Sequence, residues 1–153
     1  MNRRSFVVVL TSLVAIVAFG LSAAAEKAVR RLAIKGYDPV AYFTEKRPMI
    51  GDPRFEYKWD GAVYRFTSKR HLDLFKANPD QYLPVFRGLC TAALSNGVKA
   101  VANPRNWLIY KDRLHIFRTL RGQGRMRQNP AGMNSRADKH WVEMGRPRAE
   151  SEY

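Results

Sequence analysis

The pair Asp60-Gly61 narrows the possible folds of this chain more than any other feature. It separates Phe55-Glu56-Tyr57-Lys58-Trp59 from Ala62-Val63-Tyr64-Arg65-Phe66, two runs rich in aromatic and β-branched residues. A two-residue type I′ turn needs positive φ at both central positions, and Asp-Gly meets that need, so the segment predicts a tight β-hairpin. Period-two alternation puts Phe55, Tyr57 and Trp59 on one face of the first strand. On the return strand Ala62, Tyr64 and Phe66 share a face and Val63 points away, and Trp59 and Phe66 are expected in the core. Ser68 then offers a hydroxyl as N-cap to a short helix carrying Leu72 and Phe75 on one side. Asn78-Pro79 ends it, because proline disfavours the helical conformation in the residue before it.

The remaining segments read more simply. Gly36-Tyr37-Asp38-Pro39 marks a turn, and Tyr42 and Phe43 enter the core. Residues 44–53 form a polar loop. Asn78-Pro79 opens a second helical turn that Pro84 closes, and residues 88–97 form a short helix with Asn96-Gly97 as its C-terminal cap. Trp107 to Tyr110 and Leu114 to Phe117 flank Lys111-Asp112-Arg113, which predicts a second hairpin with a three-residue loop. Asn129-Pro130 starts a last helix to about Met144, with Trp141 facing inward. No internal repeat is evident. The expected architecture is a small α+β domain, two β-hairpins packed against short helices, over residues 26–145, with a loose tail at 146–153.

At 153 residues and 46% hydrophobic, the chain has one domain's worth of core-forming sequence. Arg3-Arg4, an apolar run from Phe6 to Leu21, and Ala23-Ala24-Ala25 follow the order of a secretory signal peptide over residues 1–25. The paired arginines are also those of a twin-arginine signal. Export to the periplasm or outside the cell is the expectation; the alternative is an uncleaved membrane anchor. The net charge of +14 suits contact with an anionic membrane surface or an acidic partner. Nucleic acid is not expected, because no aromatic ladder interleaves with the arginines of residues 118–127.

The order Asp38-Pro39-Val40, then Trp59 to Ser68, then Phe75 to Tyr82 resembles the YHS domain. The likeness is closest to exported, stand-alone bacterial YHS proteins. They add a Gly-x-Cys segment, here Gly88-Leu89-Cys90, and a later Trp strand and hairpin, here Trp107 to Phe117. It covers residues 33–117. The resemblance implies metal binding, since many YHS domains carry a cysteine after Asp-Pro-Val and others at the Phe-x-Ser turn. Here Ala41, Thr67 and His71 stand at those places, and Arg65 takes the position of the histidine in the family name.

Three kinds of chemistry are open to such a chain. A copper or zinc site would draw on His71 and Cys90, with Met49 or Asp38 added; otherwise His71 faces solvent and Cys90 is a small buried residue. Cys90 as a nucleophile would gain from a helix N-terminus and Arg87, yet it lacks any Cys-x-x-Cys partner. Tyr37, Asp38, Tyr42 and Tyr64 would line a small-ligand site, although Asp38 before proline first suggests a carboxylate that organises its own turn. A binding or accessory module is therefore expected in preference to an enzyme.

Overall fold

A computed structural model describes residues 31–146. The expected signal peptide, residues 1–25, and nearly all of the expected tail lie outside them. Strands β1 (Asp52–Trp59) and β2 (Ala62–Phe66) form one antiparallel hairpin, and β3 (Asn103–Tyr110) and β4 (Arg113–Phe117) form another. Among the described residues a 3-10 turn (Ala33–Gly36) and six α-helices accompany them: α1 (Ala41–Thr44), α2 (Lys69–Ala77), α3 (Pro79–Tyr82), α4 (Thr91–Leu94), α5 (Leu120–Gln128) and α6 (Pro130–Glu143). This is the mixed α+β architecture expected from the pattern of turns and periods.

The first hairpin follows its turn chemistry. Asp60 and Gly61 have φ of 48° and 77°, as a type I′ turn requires, and Trp59 pairs with Ala62 across them. Ala62, Tyr64 and Phe66 all face the core. Phe75 of α2 meets Tyr64 and Phe66 with ring centroids 5.1 Å away in both cases, so one helix face closes over one hairpin face. Ser68 caps α2 by accepting from the His71 N–H.

Two expectations need correction. Trp59 is not a core residue: it keeps 36% of its surface and stacks on Tyr57 at 6.2 Å. It is the last residue before the turn, and Tyr57, one pleat further in, is the residue that reaches Phe75. The second hairpin has a two-residue turn, not three. Lys111 and Asp112 adopt φ of 49° and 54°, and Arg113 already pairs with Tyr110. Aspartate tolerates the left-handed region, and the strand register on either side imposes it on Lys111.

A third correction is larger, for the chain contains an internal repeat. β3, β4 and α5 reproduce β1, β2 and α2 at a constant offset of 51 residues (103 − 52). The pairing Asp52 with Phe66 becomes Asn103 with Phe117, and both hairpins carry an irregularity before the next pair, Glu56 with Arg65 and Trp107 with Ile116. The cap repeats as well: Ser68 accepts from the His71 N–H, and Thr119 from the Gly122 N–H. Asn78 and Asn129 then share an unusual backbone conformation (φ −152°, ψ 78° and φ −143°, ψ 72°) ahead of Pro79 and Pro130.

Upstream the offset is 52, the second copy being one residue shorter between its short helix and its strand. The bridge of Leu32 to Val63 becomes Pro84 to Leu114, and that of Tyr37 to Ile50 becomes Leu89 to Val101. Asp38 N–H donates to the Met49 carbonyl and Cys90 N–H to the Ala100 carbonyl, both at 2.8 Å. Two copies of one frame, about residues 32–83 and 84–134, thus account for most of the described residues.

Candidate functional site

The polar centre of the first copy is the Asp38 carboxylate, which is fully buried. The turn after Gly36 brings it to the N-terminal end of α1, where Oδ1 accepts from the backbone N–H of Val40 at 2.8 Å and of Ala41 at 3.3 Å. This is the turn-organising role that Asp-Pro suggests. The second oxygen does something local sequence does not reveal. Oδ2 accepts from the Thr67 N–H at 2.7 Å, the Thr67 hydroxyl at 2.8 Å and His71 Nδ1 at 2.6 Å. A single carboxylate therefore ties the lead-in turn to the strand-to-helix junction that ends the first hairpin.

His71 completes this clasp. It is 4% exposed, so neither a solvent-facing imidazole nor an open ligand describes it. Nδ1 is bonded to Asp38, and the other ring nitrogen, Nε2, lies 3.1 Å from the Thr44 hydroxyl. The Glu45 carboxylate sits 3.6 Å from the same nitrogen, at the surface end of the cluster. The Thr44 hydroxyl also lies 3.2 Å from the Val40 carbonyl, which fastens α1 to the ring.

Cys90 occupies the place in the second copy that Asp38 holds in the first. Its thiol is buried at the N-cap of α4, where Sγ accepts from the Ala93 N–H at 3.4 Å. Gly122 stands where His71 does, and a β-carbon there would meet that of Ala92 at 3.0 Å. No imidazole fits that space. The second copy has thus replaced the ionic clasp by close apolar packing, with Arg118 in the position of Thr67.

The structure does not join His71 and Cys90 by any hydrogen bond, and they lie at non-equivalent positions of different copies. Among the described residues no group of three or more His, Cys, Asp or Glu is placed to hold a metal ion. Both His71 ring nitrogens have protein partners, which is not the donor set of a three- or four-ligand centre. Met49 contributes its carbonyl to the Asp38 N–H.

The four residues expected to line a ligand site are dispersed by burial. Asp38, Tyr42 and Tyr64 are wholly enclosed and present no surface to a ligand. The Tyr42 hydroxyl donates to the Pro104 carbonyl at 2.9 Å; burial first, then the neighbouring Tyr37 and Asp38, pushes its pKa well above the ordinary tyrosine range. Tyr37 is only partly buried, and its hydroxyl accepts from Arg105 Nε at 3.0 Å.

No protein-family model, no curated protein and no solved structure matches this chain. The site must therefore be read from its own chemistry. His115, the counterpart of Tyr64, is a second buried imidazole, with Nδ1 3.2 Å from the Thr91 hydroxyl. Burial, aided by the charge of Arg113, lowers its pKa to about 4, so it is neutral at physiological pH. Sequence reasoning does not find Thr44, Glu45 and Thr67 as members of the His71 cluster. The single available signal was the repeat itself: aligning Ser68 with Thr119 and Asn78-Pro79 with Asn129-Pro130 sets His71 against Gly122, and a one-residue gap upstream then sets Asp38 against Cys90.

Proposed function

We propose that this chain is an exported YHS-type binding or accessory module in which a hydrogen-bonded Asp–Thr–His clasp stands where other YHS domains place thiol ligands. The observation that carries the reading is convergence. Ala41, Thr67 and His71, the three positions at which the resemblance puts metal-binding cysteines elsewhere, all donate to the Asp38 carboxylate, the first through its backbone N–H. Groups committed in this way to one carboxylate are engaged in the protein's own hydrogen bonds and do not converge as ligands on a shared centre. The cluster fixes the frame, and binding is left to the surface around it. Catalysis by Cys90 has no support from its surroundings, since its thiol is buried against α4 with no imidazole or acid hydrogen-bonded to it.

Elemental analysis of protein purified from its native compartment, with copper and zinc titration of the wild type and of the double variant His71→Ala, Cys90→Ala, tests the proposal. The expected result is no stoichiometric metal and no difference in metal affinity between the two. Stoichiometric copper or zinc that disappears in the double variant would overturn it.

A second reading, electrostatic docking on anionic lipid, has one specific observation in its favour. α5 exposes 70% of Leu120 beside the exposed side chains of Arg118, Arg121, Arg125 and Arg127. An apolar residue among cations on one helix suits the headgroup region of an anionic bilayer. Sedimentation with phosphatidylglycerol vesicles should be strong at low salt and fall steeply as salt rises; binding insensitive to salt would exclude this mode.

A further inference from the structure

We infer that the cleft between α6 and the start of the second copy is a binding site for a small organic anion, a carboxylate or phosphate with an apolar body. The inference rests on the reading of the chain as a binding module, yet it uses none of the clasp residues. The cleft has a volume of about 510 Å³, in the range of small-molecule sites, which is roughly 300–1,000 Å³. Three guanidinium groups reach it from three places: Arg87 from the loop before Gly88, Arg113 from the first position of β4, and Arg146 from just past α6.

Their charges are only partly compensated by the protein, since two carboxylates, Asp60 and Asp138, face the three guanidinium groups. Arg87 Nη1 is buried and makes no hydrogen bond. Asp60 Oδ2 lies 3.2 Å from it, close enough for an ion pair but out of line with its N–H bonds. Buried donors in folded proteins are nearly always satisfied, so an orphaned one points to an acceptor that binds from outside. Arg113 and Arg146 have no carboxylate within ion-pair distance among the described residues. The Asp138 carboxylate, which also faces the cleft, accepts from the Asn134 side chain at 2.7 Å and feels the charges of Arg113 and Arg146 without forming an ion pair with either. Planar guanidinium forks suit the paired oxygens of carboxylates and phosphates.

The apolar wall decides the rest of the ligand. The Trp141 ring is half-buried, held edge-on to Phe86 at 5.6 Å, and it lines the cleft together with Val85 and Val142. A rigid indole beside three cations suits a ring or short aliphatic chain carrying a terminal anion. The internal repeat gives an independent argument. The first-copy counterpart of Arg113 is Ala62, which is buried in the core, so the frame itself does not require a cation at that position.

Calorimetric titration of the mature protein with benzoate, phenyl phosphate, inorganic phosphate and benzyl alcohol tests the assignment. One or both ring-bearing anions should bind saturably at one site, and more tightly than inorganic phosphate; benzyl alcohol should not bind. The stronger of the two ring anions identifies carboxylate or phosphate as the recognised group. Arg87→Ala and Arg113→Ala should each weaken binding about tenfold or more, as loss of a charge-assisted contact does, and Arg70→Ala on the exposed side of α2 should change nothing. Arg113 is exposed, so its variant keeps the test valid if Arg87→Ala fails to fold. Saturable binding by neither ring anion, binding equal to that of benzyl alcohol, or binding indifferent to Arg113→Ala would overturn the inference. Metal held by His71 and Cys90 would refute the module reading above and leave this site standing.

Discussion

Replacing Asp38 by alanine should destabilise the protein severely, and the two copies provide an internal control. The carboxylate accepts from five donors: the Val40, Ala41 and Thr67 N–H groups, the Thr67 hydroxyl and His71 Nδ1. Four of these bonds are 2.8 Å or shorter. A buried donor left unsatisfied costs about 1–3 kcal/mol, and neighbouring losses are not additive, so the sum is set at about 4–6 kcal/mol. Against a typical stability of about 5–15 kcal/mol, most of the margin would go. Asp38→Asn keeps one acceptor oxygen and should lose about 2–3 kcal/mol. Cys90→Ala removes only one long Sγ contact at the equivalent position and should lose about 1 kcal/mol. Urea unfolding followed by circular dichroism gives all three values. If Asp38→Ala lost less than about 1 kcal/mol, or no more than Cys90→Ala, the clasp would not be holding the first copy together.

His115 should give the protein a pH dependence of known sign. Its pKa is about 4 in the folded chain, against about 6.5 when unfolded, so the unfolded state takes the proton first on acidification. The stability is fully present above about pH 6.5 and falls by up to about 3 kcal/mol as pH drops to about 4. His115→Gln should flatten that slope in chemical denaturation; an unchanged slope would mean that the buried ring is not its source. The two α5 glycines should respond oppositely to alanine. At Gly124 nothing lies within 4 Å of the place a β-carbon would take, so Gly124→Ala should stabilise by about 0.5–1 kcal/mol through helix propensity. Gly122→Ala would press on the buried Ala92 at 3.0 Å and should destabilise by about 1–3 kcal/mol, read from the same unfolding curves.

The features legible in the sequence were those that neighbouring residues decide. Asp60-Gly61, Ser68 and Asn78-Pro79 act over two to four positions, and each appears in the structure as its chemistry dictates. Trp59 was misplaced because alternation gives the face of a strand and not the extent of the helix covering it. The clasp was illegible because Asp38 meets Thr67 across 29 residues and His71 across 33. The repeat was hidden for another reason. The copies share Pro53 with Pro104, Phe66 with Phe117, and Asn78-Pro79 with Asn129-Pro130, but core positions between them have changed type, Tyr64 to His115 and Phe75 to Met126. Burial was kept at those sites while size and chemical identity were not.

The copies differ most beyond their shared Asn-Pro step. α3 stops after one turn, because Leu83 is extended and Pro84 comes next; the residue in the place of Pro84 is Ser135, and α6 runs on to Glu143. Asp138, Trp141 and Val142 lie in that added length, and Arg146 just beyond it. One missing proline is thus the difference between a stub and a wall, and Ser135→Pro would return a recess-bearing half to the plain form of its sister.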